Sequence, residues 1–186
     1  MKYFFILFTV ASLLSCATQK RAIKTVPTSN VTEKEKPFPQ NWYGKWKGIL
    51  NIYNYGGETQ EIPMEIHCGA TDSSHRHQFA LIYRSDTSSY ELVAIDAKKG
   101  HYQTDEKNTI FLDGFYFDGI FYTRFEVGDN LITSQIEKRN GKLYFSLISG
   151  SLTPIATTGD EEVNHFPPVN SFDIKVSQRA ELIKYE

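Results

Sequence analysis

Two imidazoles stand two residues apart in His75-Arg76-His77, and His67-Cys68 lies shortly before them. Alternate residues of a strand share a face, so His75 and His77 are expected to project together. His and Cys are the ligand types of a zinc or copper centre, but such a centre needs three or four convergent ligands. The third and fourth are unassigned here. The pattern reads better as a polar loop running into a strand, and no metal is expected. The carboxylates Asp105, Glu106, Asp113, Asp118 and Asp129 raise calcium binding or paired acid–base catalysis. Each is expected at a hairpin turn, where Asp is favoured because its side chain bonds the local backbone. No twelve-residue calcium loop is present. Neither Gly-x-Ser-x-Gly, a P-loop nor His-Glu-x-x-His occurs. No catalytic residue and no cofactor are assigned, and the chain is expected not to be an enzyme.

The aromatic residues are a second source of chemistry. The chain has 13 Phe and 11 Tyr in 186 residues. If strands wrap them into a barrel, a subset lines the interior and can hold an apolar or ring-bearing ligand. Tyr53, Phe79, Tyr83, Tyr90 and Phe125 are the candidate lining residues. The same side chains can instead fill the barrel, and the burial habits of aromatics give filling the edge. The run Phe115-Tyr116-Phe117-Asp118-Gly119-Ile120-Phe121-Tyr122 is apolar on both faces. It is either a fully buried strand or a hairpin tip exposed for contact.

The elements that position these residues are strands. Trp46, Gly48, Leu50 and Ile52 alternate with Lys45, Lys47, Ile49 and Asn51, which is the period-two signal of a half-buried strand. Ile62, Met64, Ile66 and Cys68 repeat it over 60–68, Phe79, Leu81 and Tyr83 over 76–84, and Tyr90, Leu92 and Ala94 over 90–96. Further strands are expected at 109–112, 120–127, 131–137, 142–149 and 172–176, with a short strand or loop at 101–103. Turns are expected at 86–89, Asp113-Gly114, Asp118-Gly119, Gly128-Asp129-Asn130 and Asn140-Gly141, the last being the strongest hairpin signal. Gln178 to Tyr185 fits a short helix or a last strand. About eight to ten short strands joined by hairpins point to an all-β fold. A meander of that length avoids exposed edges by closing. The expected fold is therefore an antiparallel up-and-down barrel over 42–186.

Gly44-Lys45-Trp46 resembles the Gly-x-Trp that opens the first strand of lipocalins, and with Lys47 the Gly-x-Trp-Lys of fatty-acid-binding proteins. The resemblance implies a lipocalin-like, calycin-type barrel in which Gly44 permits a tight entry and Trp46 plugs the closed end. It also implies a basic residue packed on that Trp, for which Arg179 is the candidate. No Thr-Asp-Tyr motif of the lipocalin kind follows.

Residues 1–15 read as a signal peptide. Lys2 is followed by an apolar run from Tyr3 to Leu14, too short to span a bilayer as a mature helix. Leu13-Leu14-Ser15-Cys16 resembles the lipobox of bacterial lipoproteins, which implies lipidation of Cys16 as the mature N-terminus. Several acyl chains on one residue anchor a protein stably. An ordinary signal peptide cut nearby is the alternative. Residues 16–41 read as a flexible tether, with Lys20, Arg21, Lys24, Lys34 and Lys36, three prolines and no apolar periodicity. Ala17 and the non-acidic Thr18-Gln19-Lys20-Arg21 favour, by the same resemblance, the periplasmic face of a bacterial outer membrane. Cys68 is then left without a partner and is expected to be a small buried hydrophobe. The net charge of −2 gives no field to hold nucleic acid.

Three functions are weighed: an anchored barrel binding a small hydrophobic ligand or an envelope partner, an assembly accessory of the cell envelope with a filled barrel, and a hydrolase using His75 and His77 at the barrel mouth. The first is preferred, and no protein partner is assigned.

Overall fold

The computed structural model describes residues 36–159 and 161–186. The signal segment 1–15, Cys16 and the tether up to residue 35 lie outside the described residues. The chain runs through β1 (Gly44–Asn54), β2 (Thr59–Ala70), β3 (Arg76–Tyr83), β4 (Asp86–Asp96), β5 (His101–Asp105), β6 (Phe111–Phe117), β7 (Ile120–Val127), β8 (Asn130–Arg139) and β9 (Lys142–Ser151). An excursion follows, with β10 (Ala156–Thr158), one helical turn at Glu161–Asn164, and β11 (Val169–Ser171). β12 (Val176–Lys184) then inserts between β9 and β1 and closes the sheet.

The result is a closed antiparallel barrel of ten strands, β1 to β9 and β12, with β10 and β11 paired outside it. The all-β, up-and-down, lipocalin-like expectation holds, and the ambiguous C-terminal segment is a strand. Closure leaves the barrel no unpaired edge. The period-two rule shows in β1, β2, β9 and β12: Trp46 and Leu50, then Ile62, Met64, Ile66 and Cys68, then Leu143 and Phe145, then Ala180 and Leu182 are buried.

Three connections differ from expectation. Residues 86–89 are not a turn: Tyr83 pairs with Asp86, so the hairpin turns at Arg84-Ser85 and β4 starts at once. Asp113-Gly114 is not a turn either but the middle of β6. Gly114 stands there because the Phe121 ring of β7 packs where a Cβ would be, 2.2 Å away. The strand expected at 172–176 starts only at Val176, because Asp173 turns aside to accept the Ser151 N–H at 2.6 Å.

The alternation of strand direction defines two ends. One end gathers the start of β1, the β6–β7 and β8–β9 turns and the end of β12. Ahead of β1, a 3-10 turn (Gln40–Trp42) and Phe38 fold across it. Phe38 stacks on Tyr116 at 4.0 Å and meets Trp42 and Tyr102 edge-on at 4.7 and 4.8 Å. Trp42, Trp46 and Phe38 are all buried, which makes this the closed end. The folded unit therefore reaches N-terminal of Trp42, correcting the tether boundary expected at 41. Among the described residues the core runs from Phe38 to Leu182 and the ladder closes within Gly44–Lys184, so the closed barrel and this core lie within residues 36–186.

Both residues of the Gly-x-Trp at the start of β1 are closely enclosed. Gly44 has φ +128, and a Cβ there would meet Lys184 Cε at 2.3 Å and the Glu186 carbonyl at 2.4 Å. Trp46 is 2% exposed. The basic residue over its ring is Lys184, at 5.7 Å from the centroid. Arg179, the expected candidate, is not that residue. It pairs with Asn51 and is exposed, because the inward positions of β12 are Ala180 and Leu182.

Candidate functional site

The interior is not completely filled. A cavity of about 200 Å³ lies in its mouth half, lined from β3 to β9. Phe79, Leu81, Tyr83 and Tyr90 form one wall, and Leu112, Phe125, Ile136 and Leu147 another. Phe121 and Phe145, both buried, border it as well. Larger hollows, about 440 Å³ beside Arg124 and Phe172 and about 600 Å³ beside Gln78 and Lys107, lie on the outer wall.

Four of the five expected lining residues, Phe79, Tyr83, Tyr90 and Phe125, line this cavity. Tyr53 does not. It follows inward Ile52 in β1, so the strand period turns it outward, where it is 47% exposed. Sequence reasoning left out the polar lining: Thr104, Glu106, Thr123 and Ser134. Thr123 and Ser134 are cross-strand partners in β7 and β8 and share a hydroxyl–hydroxyl hydrogen bond of 2.7 Å. The signal for them was there, since Thr123 lies two residues from both Phe121 and Phe125, but polar side chains draw no notice in a hydrophobic count.

The cavity wall is uncharged apart from Glu106, and it carries hydroxyl donors. Burial, and then the neighbouring Tyr90, pushes the Tyr83 phenol up to about 12. It stays protonated across the physiological range and can donate. Glu106 is the carboxylate among the lining residues, and it accepts from Asn108 Nδ2 at 3.2 Å. Such a pocket suits a small apolar body with a polar edge.

The histidine cluster does not assemble. His75 is exposed, with its Nδ1 2.9 Å from Ser73 Oγ. His77 points inward near the closed end, 4% exposed, with Nδ1 2.7 Å from the Tyr43 hydroxyl. It therefore lies far from the mouth where a hydrolytic site was considered. Burial, then His75, lowers the His77 pKa, and burial, then Cys68, raises that of Tyr43. A neutral imidazole thus faces a protonated phenol. Cys68 is buried as expected, and burial pushes its thiol up to about 12. His67 instead faces outward, where Glu65 accepts from the Tyr185 hydroxyl at 2.6 Å and stands 2.7 Å from His67 Nε2. Among the described residues no group of three or more His, Cys, Asp or Glu could hold a metal ion.

The carboxylates also depart from the turn rule. Asp118 and Asp129 stand at turns. Asp113 is in β6, where its Oδ1 lies 2.8 Å from His101 Nε2. Asp105 ends β5 on the outer wall within an ion-pair net. Arg76 reaches Glu91 at 2.5 Å and Asp105 at 3.1 Å, and Lys107 reaches Glu91 at 3.0 Å. Every carboxylate of the net is bound by cations, which is the arrangement of a structural clasp between β3, β4 and β5.

No family model matches the chain, and no curated protein matches it. Among solved structures the chain is similar to the S-type phycobiliprotein lyase CPES from Guillardia theta. The TM-score is 0.50 at 10% identity, covering 77% of this chain and 88% of that one. At that identity the likeness is one of fold. It corrects one expectation. The chain was expected not to be an enzyme because it carries no catalytic motif, yet a barrel of this architecture belongs to a protein named as a lyase. The missing motifs therefore do not support a non-catalytic assignment.

Proposed function

We propose that the barrel binds a small apolar ligand, about one ring in size with one polar edge, inside the cavity bordered by Phe79, Tyr83, Tyr90 and Phe125. The observation that carries this reading is the cavity itself. A pocket of about 150 Å³ lined by apolar side chains suffices for benzene, and about 200 Å³ is empty here. A barrel built only as a scaffold has no use for that void, since each missing contact costs packing energy. The Tyr83 phenol and the Glu106 carboxylate at the rim supply a donor and an acceptor for the ligand's polar edge. Similarity of fold to a phycobiliprotein lyase supports a barrel that accommodates a ligand.

In this reading the barrel is held at a membrane by lipid on Cys16, on the periplasmic face of a bacterial outer membrane, with residues 17–35 as a leash. Support for the anchor comes from Lys2, the apolar run to Leu14 and Leu13-Leu14-Ser15-Cys16.

Titration calorimetry of residues 36–186 with indole and p-cresol tests the pocket. Saturable binding is expected, with loss in Leu147→Trp, which fills the void while the barrel stays folded by circular dichroism. No binding of either probe, together with native mass spectrometry finding the extracted protein free of small molecules, would overturn it. Incorporation of labelled palmitate, lost in Cys16→Ser, tests the anchor separately.

A further inference from the structure

The outer face of the β6–β7 hairpin carries an aromatic strip at the closed end. Phe115 and Phe117 are 42% and 56% exposed, and their rings stack at 6.2 Å. His101 stacks on Phe115 at 4.9 Å, and Tyr122 leans on Phe117 at 6.4 Å. The inward residue between them, Tyr116, is covered by Phe38. The outward ones are covered by no described segment.

Charge is sorted along the same axis. The closed-end turns and the strand ends beside them carry Lys36, Lys98, Lys99, Lys138, Arg139 and Lys142 against Asp72, Asp96, Asp118, Glu137 and Glu181, the last two paired with Arg139 and Lys142. At the same end Glu186 pairs with Lys45 at 2.6 Å, while Lys184 lies over the Trp46 ring. The connections at the mouth are the reverse, with Glu58, Asp86, Asp105, Glu106, Asp129 and Asp173 against Arg84, Lys107 and Lys175. The chain also enters here: Lys36 and Pro37 border the same hollow as Ala97 and Tyr116.

We propose that this end is a membrane-docking surface: the Phe115–Phe117 strip enters the interface of an anionic bilayer while the surrounding lysines and arginines meet its headgroups, leaving the acidic mouth facing away. Aromatic side chains settle at the headgroup level of a bilayer. A cation near an anionic surface strengthens binding about fivefold. Docking sets the cavity mouth toward the aqueous side, where a ligand can enter. The proposal takes from the lipid-anchor reading only the direction of the leash. Its test omits Cys16, so the two can fail independently.

The experiment uses residues 36–186 with vesicles of phosphatidylcholine, alone or with phosphatidylglycerol. Trp42 and Trp46 are buried, so a tryptophan placed in the strip reports contact. Sedimentation with the anionic vesicles is expected, with little on the neutral ones, and it weakens as salt is added. Phe117→Trp fluorescence is expected to shift blue on binding. Phe111→Trp, six residues away along β6 and roughly 20 Å toward the mouth, is expected to stay unshifted. Lys98→Glu with Lys99→Glu is expected to reduce binding by tenfold or more, with the barrel unchanged by circular dichroism. Absence of binding to anionic vesicles, or a Phe111→Trp shift equal to that of Phe117→Trp, would overturn the proposal.

Discussion

The Trp46 indole donates its Nε1–H to the Trp42 carbonyl at 2.7 Å. One tryptophan thus holds the turn that carries the other, and both are buried beneath the Lys184 ammonium side of the closed end. Trp46→Ala removes a buried aromatic and its hydrogen bond together, so the expected loss is about 3–5 kcal/mol. Trp46→Phe keeps most of the apolar contact but leaves the Trp42 carbonyl without its donor, for about 1–3 kcal/mol. Urea unfolding of the two variants is expected to give that order. Equal losses would mean that the hydrogen bond contributes nothing.

Acid is expected to destabilise the barrel through His77 before it reaches the carboxylates. Burial holds the folded His77 pKa below its ordinary 6.5. The unfolded imidazole takes its proton at about 6.5, and the folded one only at lower pH. Between those points the unfolded chain binds more protons, so stability falls as pH falls. The His77 contribution is complete above about 6.5 and is lost as pH drops through the folded value. Glu91, hydrogen-bonded by Arg76, and Asp105, hydrogen-bonded by the Lys107 amide, have lowered pKa values and titrate in a more acidic range. Urea midpoints measured from neutral to mildly acid pH should therefore slope in the native protein and flatten in His77→Leu.

Cys68 is expected to be silent toward thiol reagents in the folded barrel. It is 5% exposed, and its thiol is pushed up to about 12, so almost no thiolate reaches solvent at neutral pH. In residues 36–186 it is the sole cysteine. Its reaction with Ellman's reagent should follow the unfolded fraction as urea is added. Native-state labelling as fast as in urea would show that β2 opens at the Cys68 end.

Strand identity was legible wherever inside and outside residues differ in polarity, as in Ile62-Pro63-Met64-Glu65-Ile66. It failed where the outside is apolar too. In β6 the outward Phe111, Phe115 and Phe117 hid the true period, and Gly114 imitated a turn because its reason, the Phe121 ring, lies on the next strand. Tyr53 was grouped with the lining by residue type although Ile52 already held the inward position. Phe38 looked like tether because its partners, Tyr102 and Tyr116, are more than sixty residues away in sequence. The site was half readable for the same reason: Phe79, Tyr83, Tyr90 and Phe125 announce themselves as aromatic, whereas Thr123 and Ser134 acquire meaning only through the register of β7 on β8.

Gly114→Ala tests the reading of β6 directly. An added Cβ would sit 2.2 Å from Phe121 Cζ, and Phe121 is 3% exposed against Phe38 and Tyr102. The ring cannot yield without disturbing the cover of the closed end, so a loss of about 1–3 kcal/mol is expected from overpacking. Combining it with Phe121→Leu should recover part of that loss if the clash is with the ring. A Gly114→Ala melt indistinguishable from wild type would contradict the packing.

Thr123 and Ser134 offer the sharpest test of how the cavity treats polarity. Their hydroxyls satisfy each other at 2.7 Å in a wall that is otherwise largely apolar. Thr123→Val keeps the shape of the side chain and leaves the Ser134 hydroxyl unpaired, which costs about 1–3 kcal/mol when the site is dry. Adding Ser134→Ala removes the stranded hydroxyl, so the double variant should regain stability over the single one. The double-variant cycle also reads the ligand. If p-cresol takes its hydrogen bond from the rim at Tyr83 or Glu106, the double variant should bind it as well as wild type or better, because the wall becomes more apolar. If the polar edge instead points inward at this pair, binding should fall in the double variant and leave Tyr83→Phe unaffected. Calorimetry of the two variants with one probe decides which end of the ligand enters first.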